Sequence, residues 1–288
     1  MGKKSKKRCD LHLHSFYSDG SLSPQELVKE ALRKEVFCIS ITDHDSIKAI
    51  KELKGKGYPD CLKLIEGVEL TASYQDNELH ILGYLIDSEN DYLNKGLAEA
   101  YQVRQTRFRE MSERLALQGV RIDKESLFED IKNITPTRLH LAEYLLKTRQ
   151  VNSIYEAFKR YLNPKKPGYV CRSRFGLKEA IDFIHRCRGL AFLAHPHKLA
   201  NQDWIPRCVS FGIDGFEVSY PTMSSQEQSF YKKYALENKL LLSGGSDFHQ
   251  FFNKSREIGS VDVPYQWVLE MEKKRRKIIE SKEAVKIK

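Results

Sequence analysis

One pattern constrains this chain more than any other: short apolar runs that stop abruptly at histidines and carboxylates. Val36 to Ile41 ends in Thr42-Asp43-His44-Asp45. Lys63 to Leu70 ends near Glu69, and Glu78 to Tyr84 carries His80. Gly189 to Ala194 runs into His195-Pro196-His197, and Leu240 to Gly244 into Ser246-Asp247-Phe248-His249. Apolar runs of this length, alternating with helical patterns, read as buried parallel strands of an α/β fold. Ligands in such folds gather at the carboxyl ends of the strands.

The first strand adds a second signal. Residues 9–20, Cys-Asp-Leu-His-Leu-His-Ser-Phe-Tyr-Ser-Asp-Gly, begin with alternating apolar and polar positions. Side chains repeat every two residues along a strand, so His12 and His14 share a face. Asp19 follows in a loop ending at Gly20. Ser23, Pro24 and Glu26 then predict a capped helix, with Leu27, Val28, Ala31 and Leu32 as its buried stripe.

Residues 91–167 differ, because no strand pattern occurs in them. Helices are expected over Tyr101–Leu117, Lys124–Ile131, Thr137–Lys147 and Ser153–Leu162, punctuated by Pro136, Asn152 and Asn163-Pro164. Arg104, Arg107, Arg109 and Arg114 on the first of these read as a solvated face. The α/β rhythm resumes at Pro167-Gly168, with helices over Leu177–Arg188, Asp203–Phe211 and Ser224–Glu237 and a strand at Gly215–Val218. The expected organisation is an α/β domain over 9–95 and 168–265 with a helical insertion domain over 96–167. Residues 266–288 form a basic helix or tail without a clear apolar face. That leaves two readings, fraying or anion binding.

Composition narrows the function classes. The chain has 288 residues, 41% of them hydrophobic, enough for a full core. Its net charge of +9 favours anionic partners. Its six cysteines are scattered without a Cys-x-x-Cys pair, which fits a reducing compartment and argues against a disulfide framework or zinc finger. The basic run Lys3–Arg8 is followed by no apolar segment, so it is not read as a secretory signal. No apolar run is long enough to span a bilayer, and no membrane association is expected. A cytoplasmic location follows as the expectation.

Gathered together, the polar residues at the strand ends are His12, His14, Asp19, His44, Glu69, His80, His195, Asp247 and His249. So many buried imidazoles and carboxylates without partners would carry a severe desolvation cost. Bound divalent cations would remove it. The donors are nitrogen and oxygen with no thiolate, which suits Mn, Zn or Fe(II) better than a cysteine-based zinc site. These donors are too many for one tetrahedral ion, so two or three ions sharing bridging carboxylates are expected.

His-x-His with Ser-Asp-Gly, Ile-Thr-Asp-His-Asp, Gly-Val-Glu, Glu-Leu-His-Ile-Leu-Gly, Ala-His-Pro and Gly-Gly-Ser-Asp-Phe-His resemble, in order, the motifs of the PHP (polymerase and histidinol phosphatase) superfamily. The resemblance covers about residues 9–260. Within the superfamily it is to the branch of nucleoside 3′,5′-bisphosphate phosphatases and 5′-to-3′ exoribonucleases. It implies a distorted seven-stranded (β/α) barrel with a trinuclear metal site, most often manganese, with iron, zinc and magnesium as alternatives. Carried over by position, His12, His14, Glu69 and Asp247 hold one ion, and Glu69, His80 and His195 the second. Asp19, His44 and His249 hold the third. His197 is not expected to be a ligand, and Asp43 and Asp45 are expected to orient His44 or cap the next helix.

The implied activity is hydrolysis of the 3′-phosphate ester of 5′-phosphorylated nucleotides by a metal-activated hydroxide. The partner is then a nucleotide or a short 5′-phosphorylated oligonucleotide, with no obligate protein partner. Thr135–Ala142 resembles an Arg-x-His-x-Ala motif of the branch, which makes Arg138 and His140 candidates for reading the 5′ phosphate. Arg172 and Arg174 are further candidates. Two other classes stay open: a histidinol-phosphate-type phosphatase, and a non-catalytic RNA-binding protein that would need no such ligand set.

Overall fold

A computed structural model describes residues 7–249 and 256–286, so part of the N-terminal basic run, residues 3–6, lies outside the described residues. The fold is α/β. Strands β1 (Arg8–Leu13), β2 (Val36–Ile41) and β3 (Lys63–Leu64) form one parallel sheet. A mixed six-stranded sheet contains β4 (Gly67–Tyr74), β5 (Asn77–Tyr84), β6 (Phe175–Gly176), β7 (Leu190–Leu193), β8 (Gly215–Ser219) and β9 (Leu241–Gly244), in the order β6-β4-β5-β7-β8-β9. Single bridges Leu13–Phe248 and His44–Glu69 tie the two sheets together.

Two readings of the strands are corrected. The segment Lys63–Leu70 is not one strand: β3 stops at Leu64 and β4 starts at Gly67. The segment carrying His80 is antiparallel to both neighbours, β4 and β7. A two-residue turn explains this. Gln75 and Asp76 both have positive φ (49° and 57°), as a type I′ turn requires, and such a turn returns the chain directly alongside itself. The usual Asn-Gly signal is absent, which hid the hairpin.

Helices α1 (Pro24–Arg33) and α2 (Lys48–Lys56) cover the first sheet. The Ser23–Glu26 capping box is present as expected. Helix α3 (Asp91–Leu117) starts ten residues before its predicted N-terminus. Its first half adds Leu93, Leu97 and Ala100 to the main apolar core. Its second half adds Phe108, Met111 and Leu115 to a separate core. That second core is completed by α4 (Lys124–Asp130), α5 (Arg138–Lys147) and α6 (Ile154–Ala157), through Leu127, Leu141, Leu145 and Ala157. Arg104 and Arg107 are buried, not solvated. They sit where α3 passes over the sheet ends, and carboxylates below receive them: Asp45 for Arg104 and Glu78 for Arg107.

Helices α7 (Leu177–Arg186), α8 (Trp204–Ser210) and α9 (Ser225–Glu237) cover the mixed sheet, and α10 (Tyr265–Lys286) closes the chain. The C-terminal helix docks through buried Val268 and Met271. Lys274 pairs with Asp214 at 2.8 Å and Arg275 donates to the Arg188 carbonyl at 3.1 Å, so these basic residues are structural. Residues 287–288 lie outside the described residues.

Close approach of backbones fixes one glycine. A methyl group on Gly245 would stand 2.4 Å from the His12 nitrogen, a strand backbone atom that cannot step aside. We expect Gly245→Ala to lower the unfolding free energy by about 1–3 kcal/mol, as overpacking does. Denaturant melts test this, and a change within about 0.5 kcal/mol would mean that the segment after β9 moves freely from β1.

Candidate metal centre

The ends of β1, β2, β4, β7 and β9 bring the expected residues together. Alternation along β1 turns His12 and His14 to one face, and both are fully buried. The hairpin supplies His80: it pairs with Thr71, two residues beyond Glu69, so Glu69 and His80 are diagonal neighbours on one face. Helix-side loops bring His44, His195 and His249.

Glu69 is the hub. Its Oε2 lies 3.3 Å from His12 Nε2, 3.2 Å from His14 Nε2 and 3.1 Å from His44 Nδ1. Its Oε1 lies 3.0 Å from His80 Nδ1 and 3.3 Å from His195 Nε2. Asp247 Oδ1 faces His12 and His14 at 3.4 and 3.3 Å. Asp19 faces His249 at 3.3 Å and His44 at 3.8 Å.

His80 and His195 bond Glu69 Oε1, whereas the approaches to Glu69 Oε2 are close without being hydrogen bonds. His12 Nε2, His14 Nε2, Asp19 Oδ1, His44 Nδ1 and Glu69 Oε2 are all buried and all lack a hydrogen-bond partner. Three groups of donor atoms lie within 4.8 Å of one another: His14, Asp19, His44 and His249; His12, His14 and Asp247; His44, Glu69 and His80. Convergent nitrogen and oxygen atoms left unsatisfied in a dry site fit divalent cations. The ionisable groups of the cluster shift one another strongly. Burial opposes charge on Glu69, yet His80, His12 and His44 hold its carboxyl well below the usual range. Burial likewise pushes His14 down, but Asp247 and Glu69 raise it to about 10.

Comparison with known proteins agrees with this geometry. Residues 10–280 match the PHP domain model. The chain is 34% identical to the 5′-3′ exoribonuclease Rnm of Escherichia coli over 250 residues, covering 84% of this chain and 85% of that one. It is 30% identical to the 3′,5′-nucleoside bisphosphate phosphatase of Chromobacterium violaceum over 263 residues, covering 88% and 92%. Among solved structures it is similar to an amidohydrolase from Chromobacterium violaceum with bound sulfate, at 28% identity and a TM-score of 0.79, covering 91% and 96%. A Bifidobacterium adolescentis protein shares the fold at a TM-score of 0.81, 24% identity and coverage of 93% and 96%. The chain belongs to the PHP domain family.

The PHP site rests on carboxylates that sequence reasoning passed over. Glu217 is fully buried in β8. It bonds His12 Nδ1 at 2.9 Å and accepts the His195 backbone N–H at 2.7 Å, which turns Nε2 of His12 toward the hub. The available signal was a carboxylate inside the apolar strand Gly215–Val218. Asp10 accepts N–H groups from Ser246 (2.9 Å) and Gly259 (2.8 Å), joining β1 to the last ligand loop. Asp43 does not orient His44: it accepts from Ser15 N–H (2.7 Å) and from the Ser15 and Ser18 hydroxyls (2.6 and 2.7 Å), shaping the loop that carries Asp19. Asp45 receives Thr71 N–H at 3.0 Å and Arg104, and the cap residue of α2, Ile47, makes no side-chain cap.

The substrate candidates separate. Arg138 lies on the cavity above the hub. His140 caps α5, accepting the Thr137 N–H at 2.9 Å. Arg172 and Arg174 pair with Glu110 and Glu99 on α3, each at 2.9 and 2.8 Å respectively, and neither lines that cavity. His197 bonds Thr222 at 3.0 Å and joins none of the three donor groups.

Glu217→Gln keeps the volume and removes the acceptor charge behind His12. Loss of such a partner typically costs 10- to 100-fold in metal affinity. We expect that loss in a chelator competition titration with Mn²⁺, with the far-UV circular dichroism retained. Wild-type affinity would show that His12 needs no anchor.

Proposed function

We propose that this chain is a metal-dependent phosphoesterase that cleaves the 3′-phosphate ester of 5′-phosphorylated nucleotides. Nucleoside 3′,5′-bisphosphates and short 5′-phosphorylated RNA are its substrates. The reading rests on one observation: a cavity of about 530 Å³ is lined both by imidazole and carboxylate donors and by guanidinium groups. Asp19, His44, His80 and His249 line it together with Arg104, Arg107, Arg138 and Arg256. The names of the relatives, an exoribonuclease and a bisphosphate phosphatase, support the same chemistry.

One geometry accounts for both substrates. In a nucleoside 3′,5′-bisphosphate, attack at the 3′ phosphorus expels the 3′ oxygen of a 5′-phosphorylated nucleoside. In 5′-phosphorylated RNA, attack at the first internucleotide phosphorus expels the same leaving group. A site that reads the 5′ phosphate serves both.

His12, His14, Glu69 and Asp247 are assigned to one cation, Glu69, His80 and His195 to a second, and Asp19, His44 and His249 to a third. A donor set rich in imidazole suits manganese, iron or zinc better than magnesium, and the family resemblance favours manganese. Divalent cations supply charge for the phosphoryl oxygens and acidify water. The residues around them do the rest. Glu78 takes both Arg138 (2.9 Å) and Arg107, so this wall keeps an excess of positive charge. Arg107 is buried, whereas the Arg138 side chain is 23% exposed and within reach of a ligand. A planar guanidinium grips two phosphate oxygens at once.

We further read β1, β2, β4, β5, β7, β8 and β9 as a seven-stranded ring, with the Leu13–Phe248 and His44–Glu69 bridges at its seams. Residues 96–167 are read as the inserted helical domain, on the strength of their separate core. Scattered, unpaired cysteines favour the cytoplasm.

Hydrolysis of adenosine 3′,5′-bisphosphate beside 5′-phosphorylated and 5′-hydroxyl oligonucleotides and histidinol phosphate tests the reading. Preference for histidinol phosphate would overturn it. Glu69→Gln should lose most activity and metal content with the fold intact, by elemental analysis and turnover, since it weakens the shared carboxylate. Arg138→Ala should reduce the preference for 5′-phosphorylated over 5′-hydroxyl substrates by roughly ten- to a hundredfold, the worth of a charge-assisted bond. Arg138→Lys should recover part of it. An unchanged preference would remove Arg138 from the phosphate site.

A further inference from the structure

The cavity above the metal centre has a third kind of wall, neither ligand nor cation. Leu139 on α5 and Ile154, Tyr155 and Phe158 around α6 line it. Tyr155 is 74% exposed, while Ala157 on the same short helix is fully buried in the second core. Phe158 opens a π-helical turn, Phe158–Leu162, closed by Asn163 N–H donating to the Phe158 carbonyl at 3.0 Å. Such widened turns occur frequently at functional sites. A lone exposed aromatic needs no explanation. Here two aromatics and two aliphatics meet on one cavity whose other walls are Arg107, Arg138 and the metal donors.

Resting on the function proposed above, we propose that Tyr155, with Phe158 lining the same cavity, is the platform on which the nucleobase of the 5′-terminal nucleotide stacks. A 5′-phosphorylated nucleotide has three parts with different needs. Its 5′ phosphate needs cations, its 3′ phosphate the metal centre, and its base a flat apolar face. The cavity lining holds residues suited to each. Stacking on an aromatic ring is tolerant of sequence, because every base has a π-face. The platform therefore holds any of the four bases, as degradation of mixed sequences requires, and contributes to binding rather than to the chemical step.

The test compares adenosine 3′,5′-bisphosphate with the base-free methyl ribofuranoside 3,5-bisphosphate. Wild type should prefer the nucleotide in kcat/KM. Tyr155→Ala should shrink that preference by roughly 5- to 150-fold, the range for loss of one stacked base, with the change in KM. Tyr155→Phe should keep it. Calorimetric binding of adenosine 5′-monophosphate to the metal-loaded protein should weaken in parallel for Tyr155→Ala. If wild type hydrolyses the bisphosphate and Tyr155→Ala keeps both the preference and the monophosphate affinity, the platform is wrong and the phosphoesterase reading stands. If wild type fails to hydrolyse the bisphosphate, the phosphoesterase reading itself falls, and the platform with it.

Discussion

The carboxylate of Glu69 meets five imidazoles, those of His12, His14, His44, His80 and His195, at 3.0–3.3 Å. The hub and two of the rings are cut off from water, Glu69 being 1% and His12 and His14 0% exposed. Burying ionisable groups in this way costs several kcal/mol each unless partners repay it. Five of the converging atoms find no hydrogen-bond partner in the protein. Divalent cations would complete such a cluster. The fold around the cluster is arranged accordingly.

Carboxylates one step further out hold the donors in place. Glu217 anchors the far nitrogen of His12 and the backbone of His195, so one side chain fixes histidines from β1 and from the end of β7. Asp10 pins the segment after β9 to β1, and Asp43 pins the loop that carries Asp19. These bonds run between strands far apart in sequence. Geometry at the hub is therefore a property of several strands together, and a shift in any one of them is felt by several donors.

Helix α3 links this array to the helices above it. One end packs in the main core and the other in the second core. Between them, Arg104 and Arg107 descend onto Asp45 and Glu78. Glu78 also bonds His80 Nε2 at 3.3 Å and Arg138 at 2.9 Å. A single carboxylate thus connects a donor of the centre with the cationic wall of the cavity. The helical roof and the metal floor are coupled through it.

Much of the centre was legible in the sequence, because a strand's two-residue period and an apolar run's abrupt end are local facts. They located His12, His14, His44 and His195 at strand ends, and ordered motifs named the family; Glu69, expected where a strand ends, stands near the start of β4. Local patterns do not report which way a strand runs, so the antiparallel course of β5 came only with the Gln75-Asp76 turn. They do not report what lies above a helix, so Arg104 and Arg107 read as solvated although both are buried. Nor do they pair charges distant in sequence. Glu217, 205 residues from His12, became a positioning group, and Arg172 and Arg174 went to carboxylates on α3. The sequence by itself determined which donors the chain possesses and on which face of each strand they stand. Tertiary structure decided which donors meet and what holds them, because burial and long-range pairing exist only once distant segments are packed together.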